Sequence, residues 1–174
     1  MKHTRSMRRW FVLSLAFLLL ISCASASASS FSFSNGITWD TTPAQMLAAE
    51  GVQEGGGGYN EQAFEGYTFF YLKAADIYYV FRGDSLVMAY SLLPRGAFDA
   101  ALAEQAALYG APADIPADTV GTLLNLVIPD SAGPGDVGDL AAWRLPDGTL
   151  AALFAIGELN FRVYFHEQRI LAGQ

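Results

Sequence analysis

Few residues in this chain could carry out hydrolysis, and His166 is the only histidine beyond residue 3. A serine hydrolase presents its nucleophile on a Gly-x-Ser-x-Gly turn, and the sequence contains no such turn. A glycosidase needs two carboxylates about 5 to 9.5 Å apart, and no pair stands out among the 17 Asp and Glu residues. We therefore predict that the protein is not an enzyme. The alternative is a secreted hydrolase with paired carboxylates.

A glycine-rich segment, residues 133–138, matches the Gly-x-Gly-x-x-Gly pattern. Dinucleotide binding needs these glycines between a parallel strand and a helix whose first amides face the pyrophosphate. Pro134 removes one such amide, and strand-like sequence follows the segment, so we interpret it as a solvent loop. The spacing of Asp130, Asp136 and Asp139 matches neither an EF-hand nor a calcium-binding nonapeptide repeat. We expect no cofactor and no metal. The alternative is that these aspartates supply oxygen ligands to calcium.

Tyrosine and arginine give a stronger signal, for binding a partner. These side chains bury a large area at little entropic cost and still satisfy polar groups, which makes them interface anchors. A period of two puts Arg162, Tyr164 and His166 on one side of the last predicted strand. The alternative is that the tyrosines fill the periphery of an ordinary core. We predict a surface for a protein or peptide partner, on the sheet face away from the helices, formed by Tyr78, Arg144, Arg162, Tyr164 and His166, with Tyr67 and Tyr71 beside them.

The overall charge excludes one class of partner. The chain has 174 residues and a formal net charge of −7, with Lys+Arg 10 against Asp+Glu 17. Binding to nucleic-acid phosphates depends on clustered Lys and Arg side chains, so we predict no nucleic-acid partner. A hydrophobic content of 52% leaves room for one ordinary core.

The first thirty residues have the order of a secretory signal: basic residues up to position 9, an apolar run over 10–21, and small residues over 22–30. An apolar run of this length covers about 18 Å as a helix, short of the roughly 30 Å hydrocarbon core of a membrane. We predict a signal peptide over residues 1–22. The alternative is 1–26, with cleavage after Ala24-Ser25-Ala26.

The only cysteine of the chain, Cys23, ends the sequence Leu20-Ile21-Ser22-Cys23, which looks like a bacterial lipobox. In a lipobox the cysteine thiol is diacylated and the residue becomes the new N-terminus. We predict that Cys23 is lipidated, that residues 23–34 form a flexible tether, and that the lipid holds the protein to the membrane at the cell surface or in the periplasm. If Cys23 is instead part of a discarded signal, the protein is secreted.

Two kinds of hydrophobic period alternate along the rest of the chain. Thr42-Pro43-Ala44-Gln45 is typical of a capping box, and Gly51 is placed to end the helix that it starts. A second helix is predicted over about 96–108 and a third, short one behind Asp118. The period-two stretches predict strands at 66–72, 76–81, 86–92, 140–145, 149–156 and 160–165.

These elements predict an α+β fold with an antiparallel sheet of six or more strands. Helices on one face of such a sheet would bury both kinds of apolar pattern and leave the other face open. Residues 35–174 then form a single domain. Its halves, about 42–93 and 94–166, are predicted to be a tandem repeat of helices followed by a strand meander.

Three segments carry a resemblance to a known group: residues 35–43, Tyr109-Gly110-Ala111-Pro112 and the hairpin sequence at 143–149. They look like uncharacterised exported proteins of gut-type Firmicutes. The arrangement is similar to the β-lactamase-inhibitor-like fold of the SmpA/OmlA envelope lipoproteins. The likeness covers most of residues 35–166, and it implies a binding or inhibitory module. We expect an envelope-anchored, non-enzymatic protein that uses its open sheet face on a protein or peptide partner.

Overall fold

The computed structural model describes residues 31–33, 35–132 and 135–173. The predicted signal peptide and Cys23 lie outside this part of the chain. The described elements, in chain order, are α1 (Pro43–Ala49), β1 (Tyr59–Phe64), β2 (Tyr67–Leu72), β3 (Ile77–Arg82), β4 (Ser85–Leu93), α2 (Phe98–Tyr109), α3 (Ala117–Val127), β5 (Val137–Arg144), β6 (Thr149–Ile156), β7 (Leu159–His166) and α4 (Glu167–Leu171). No helix among them is long and apolar enough to cross a membrane.

All seven strands form one antiparallel sheet in the order β1-β2-β3-β4-β7-β6-β5. It consists of two meanders, β1 to β4 and β5 to β7, which join where β4 pairs with β7. The predicted α+β class and the antiparallel sheet of six or more strands are confirmed.

Cross-strand pairs define the two faces of the sheet, because directly opposed residues point to the same side. One row crosses all seven strands through Asn60, Tyr71, Tyr78, Tyr90, Val163, Ala152 and Ala142. We call the side that this row occupies the ladder face. The opposite row runs through Glu61, Phe70, Tyr79, Ala89, Tyr164, Ala151 and Trp143, and we call its side the Trp143 face.

The helices α1 and α2 pack on the Trp143 face. Met46 of α1 lies in an apolar cluster with Phe70, and Ala101 of α2 lies in a second cluster with Trp143. The prediction that these two helices share a face is confirmed.

The prediction that the helices lie on one face only is wrong. Leu124 of α3 and Ile170 of α4 are in one apolar cluster with Val163 and Phe165, on the ladder face. The apolar stripe of α3 is buried there because the ladder-face residues of β5 to β7 are apolar too, and each stabilises the other by excluding water. Only part of the ladder face is therefore left uncovered.

The two halves of the chain contain different elements. The first has one described helix and four strands, and the second has two helices before three strands and a short helix after them. The predicted tandem repeat is not shown by this arrangement. Sequence reasoning missed two elements, β1 and α4, of which β1 is a polar strand at the edge of the sheet.

Local sequence sets both ends of α1, as predicted. Thr42 Oγ1 accepts a hydrogen bond from the Gln45 backbone N–H at 3.4 Å, and Gln45 Oε1 accepts one from the Thr42 N–H at 3.0 Å. Gly51 follows the helix with a φ of 67°, in the left-handed region where a residue without a Cβ is favoured.

The segment before α1 belongs to the domain. Phe33 is buried in the same cluster as Met46, and the Phe31 backbone N–H donates to Asp147 Oδ2 at 2.7 Å. The tether predicted over 23–34 therefore cannot include residues 31–33, which pack on the sheet. Its earlier residues lie outside the part that the structure describes.

Candidate functional site

The most distinctive surface is a stack of three tyrosines on the ladder face, Tyr71, Tyr78 and Tyr90 on neighbouring strands. The ring centroids of Tyr71 and Tyr78 are 4.5 Å apart, and those of Tyr78 and Tyr90 are also 4.5 Å apart, at an interplanar angle of 3°. Stacked aromatic pairs of this kind are worth about 0.5 to 1.5 kcal/mol beyond the area that they bury. We call this stack the tyrosine ladder.

The tyrosine ladder marks the place where the ladder face changes from buried to exposed. Val163, the next residue of the row, is 1% exposed beneath the helices, whereas all three tyrosines are partly exposed. Two large apolar side chains on the same face are more exposed still: Phe64 at 43% and Leu92 at 41%. An aromatic patch thus reaches solvent over the β1 to β4 half of the sheet.

The environments of Tyr71 and Tyr90 favour the neutral form of their phenol groups by raising the pKa. The Tyr71 hydroxyl donates to Asp76 Oδ1 at 2.9 Å, and this hydrogen bond raises the pKa of Tyr71 above its ordinary value. Burial, with a smaller contribution from Tyr78, raises the pKa of Tyr90 to about 12. Tyr71 and Tyr90 therefore offer flat rings with neutral hydroxyls, a combination suited to a protein or peptide surface.

Of the predicted binding residues, Tyr78 lies in this patch and Arg144 does not. Tyr67 and Tyr71 share the face of Tyr78, as predicted, although Tyr67 is buried. Arg144 is on the same face but four strands from Tyr78, roughly 19 Å at the usual strand spacing. It forms a two-point ion pair with Glu167, with Nε at 3.2 Å and Nη2 at 3.0 Å from the carboxylate oxygens.

Arg162 and Tyr164 lie on the Trp143 face, so the prediction that they share an open surface with Tyr78 is wrong. They line a cleft of about 330 Å³ between the Phe31–Phe33 segment and the end of α2. Arg162 Nη2 is 2.6 Å from Glu104 Oε2. The predicted alternation of Tyr164 and Phe165 is right. The predicted surface is wrong because helices cover both faces of β7, with α2 on the side of Tyr164 and α3 on the side of Phe165.

Tyr164 is part of the packing under α2. Gln105 Nε2 donates to the Tyr164 hydroxyl at 3.1 Å, and the Phe31 ring lies 4.8 Å from the Tyr164 ring. Burial raises the pKa of Tyr164. These contacts give Tyr164 a structural role, beneath a helix and not on an open face.

His166 also has a structural position. Its ring meets the Trp39 ring edge-on with centroids 5.3 Å apart, and its Nδ1 accepts the Arg169 backbone N–H at 3.4 Å as the N-cap of α4. Burial and the nearby Arg169 charge lower the pKa of His166. It shares the Trp143 face with Arg162 and Tyr164, so the predicted alternation is confirmed while the predicted surface is not.

Sequence reasoning missed the strand that borders the tyrosine ladder. β1 places Asn60, Gln62 and Phe64 on the ladder face, beside Tyr71, Phe69 and Tyr67 respectively. Its one local signal is the pair Glu65-Gly66, whose φ values of 49° and 82° form the two-residue turn of a hairpin. A glycine as the second residue of a two-residue turn, followed by an aromatic strand, is a sequence signal from which β1 could have been predicted.

Nothing in the described residues gives the hydrolase alternative specific support. The buried polar side chains among them are Gln105 and Thr149, and neither is a carboxylate. No group of three or more His, Cys, Asp or Glu side chains in residues 31–33, 35–132 and 135–173 is placed to hold a metal ion.

Comparisons with protein-family models, with curated proteins and with solved structures find no match for this chain. The resemblance to envelope lipoproteins of the SmpA/OmlA type therefore stays a prediction. The function has to be inferred from the surfaces of the sheet themselves.

Proposed function

We propose that the protein is a cell-envelope-anchored, non-enzymatic binding module that holds a protein or peptide partner against the uncovered part of the ladder face. The observation that carries this proposal is the tyrosine ladder, which is stacked and partly exposed, with the exposed Leu92 two residues beyond Tyr90 on the same face. It replaces the predicted surface, since Arg162, Tyr164 and His166 lie on the covered face.

Rigidity supports the proposal. Each ladder tyrosine stacks on its neighbours across the paired strands β2, β3 and β4, so little side-chain entropy remains to be lost when a partner binds. Tyrosine is also among the residues most often found to dominate binding energy when a partner buries them.

The anchored location rests on sequence alone. The order of basic, apolar and small residues before position 31 is that of an export signal, and Cys23 stands at the lipobox position. Metabolic labelling with a fatty-acid analogue should mark the wild-type chain and leave Cys23→Ser unmarked and outside the membrane fraction. An unmodified mature N-terminus at Ser27 would contradict lipidation.

The binding proposal is tested by site-specific photo-cross-linking in the producing cell. A benzophenone amino acid at position 71 should form a discrete protein adduct, because this position lies at the rim of the tyrosine ladder. The same group at position 122, exposed on α3, is the control and should form none.

The adduct must depend on the ladder itself. We expect Tyr78→Ala to remove the adduct at position 71 while the protein stays folded by circular dichroism. Equal adducts from positions 71 and 122, or an adduct unaffected by Tyr78→Ala, would contradict the proposal.

A further inference from the structure

The strand β1 forms one edge of the sheet, and its outer side is unpaired within the described chain. All six of its residues pair in unbroken register with β2. In an antiparallel pair, alternate residues turn both N–H and C=O away from the neighbour, so half of the β1 residues present free backbone groups outward. No backbone hydrogen bond from the described residues reaches that outer side.

Among the described residues, this edge has little of the usual protection. Natural edge strands carry charged side chains, Lys above all, or Pro, a bulge or a covering loop that stops another strand from pairing with them, and Glu61 is the one charged residue of β1. The sequence of β1, Tyr-Asn-Glu-Gln-Ala-Phe, contains neither Lys nor Pro, and five of its six residues are exposed. A free, regular edge beside an aromatic patch is the geometry in which an extended peptide adds a strand.

The two faces beside β1 differ in chemistry. On the Trp143 face, Glu54, Glu61 and Asp84 line one cleft of about 400 Å³ together with Phe70 and Tyr59. On the ladder face, the exposed Phe64 and the partly buried Phe69 lie next to the edge. A strand added to β1 would therefore set alternate side chains beside carboxylates and the others beside aromatic rings.

The acidic charge around β1 favours a basic partner segment. Residues 50–85 contain six acidic and two basic residues. Of the two, Arg82 is bonded to backbone carbonyls of α4, and the Lys73 ammonium donates to the Gly57 carbonyl just before β1. A second copy of this chain would bring Glu61 and its acidic neighbours against the same groups, and like charges in direct opposition are unfavourable. We infer that β1 takes up an extended segment of a partner protein in which basic and apolar residues alternate.

This inference rests on the proposed function, because it names the partner of the same surface. The probe is a ten-residue peptide of alternating Lys and Val, added to the purified full chain in detergent micelles. One control has the same composition in shuffled order, and a second has Glu in place of Lys. Only the alternating basic peptide should bind.

Two readouts separate strand addition from charge attraction. Amide hydrogen exchange should slow at alternate residues of β1 when the peptide binds, because only the outward N–H groups gain partners. The double variant Glu54→Lys, Glu61→Lys should weaken binding about tenfold or more at low salt, and the difference should shrink at high salt. The matched pair Asp114→Lys, Glu158→Lys, which changes the net charge equally at exposed sites away from β1, should leave affinity within about twofold.

Several outcomes would overturn the inference. They are equal binding of the shuffled peptide, exchange that is unchanged or slowed at every β1 residue, and β1 amides already protected without peptide by a second copy or by the chain's own N-terminal residues. If these occur while the position-71 adduct still depends on Tyr78, strand addition fails and the binding proposal survives. If that adduct is absent as well, both fail.

Discussion

The indole Nε1 of Trp39 donates a hydrogen bond to Oγ1 of Thr149 across 2.7 Å, and both side chains are buried. The two residues are 110 positions apart in the chain. This bond ties the segment before α1 to the first residue of β6. The Trp39 ring also lies edge-on to the His166 ring, with centroids 5.3 Å apart.

Removing the acceptor should therefore destabilise the whole domain. Thr149→Val keeps the shape of the side chain but leaves the buried indole N–H without a partner, and we expect a loss of about 1 to 3 kcal/mol in the free energy of unfolding. Thr122→Val, exposed on α3, is the control and should change it by about 0.5 kcal/mol or less. Equal denaturation midpoints for the two variants would show that the bond contributes nothing.

Replacing a phenylalanine of the ladder face with alanine should lower the free energy of unfolding far more beneath the helices than at the exposed edge of the sheet. Phe165 is 0% exposed beneath α3 and α4, so Phe165→Ala should cost about 3 to 5 kcal/mol through lost burial and the cavity left behind. Phe64→Ala removes the same ring from a position that is 43% exposed. In urea denaturation, the free energy of unfolding of Phe64→Ala should lie less than about 1.5 kcal/mol below that of wild type. A loss as large as that of Phe165→Ala would mean that Phe64 and β1 are covered.

Tyr164 and Gln105 should behave as one unit. Tyr164→Phe leaves the buried Gln105 amide N–H without its acceptor, while Gln105 Oε1 already has no partner among the described residues. We expect about 1 to 3 kcal/mol of destabilisation from that change alone. Adding Gln105→Met should recover most of it, because both polar partners are then gone. A double-mutant cycle measures the coupling, and simple additivity would contradict the contact.

His166 should make stability depend on pH. Burial and the nearby Arg169 lower its folded pKa below the usual 6.5, so in the window below 6.5 the unfolded chain binds more protons than the folded one. Stability therefore falls as the pH falls through that window and levels off below the folded pKa. His166→Asn keeps an N-cap side chain but does not titrate. Its unfolding free energy should fall less than that of wild type between about pH 7 and pH 5, and parallel curves would refute the assignment.

Alternation predicted which residues of β7 point together, because a period of two is a property of the strand itself. It separated Arg162 and Tyr164 from Phe161 and Phe165 correctly. It could not say which face stays open, since that depends on where α3 packs, a contact between distant parts of the chain. The strand β1 escaped notice for a related reason: an edge strand exposed on both sides needs no apolar pattern.

The central claim is that partners bind at the tyrosine ladder and not in the cleft that Arg162 and Tyr164 line. It is tested most directly by the affinity of the cross-linked partner for two variants, Tyr78→Ala in the ladder and Tyr109→Ala at the rim of the cleft, both partly exposed tyrosines. We predict that Tyr78→Ala weakens binding about tenfold or more and that Tyr109→Ala changes it less than about twofold. The reverse order, with both variants folded, would contradict the account.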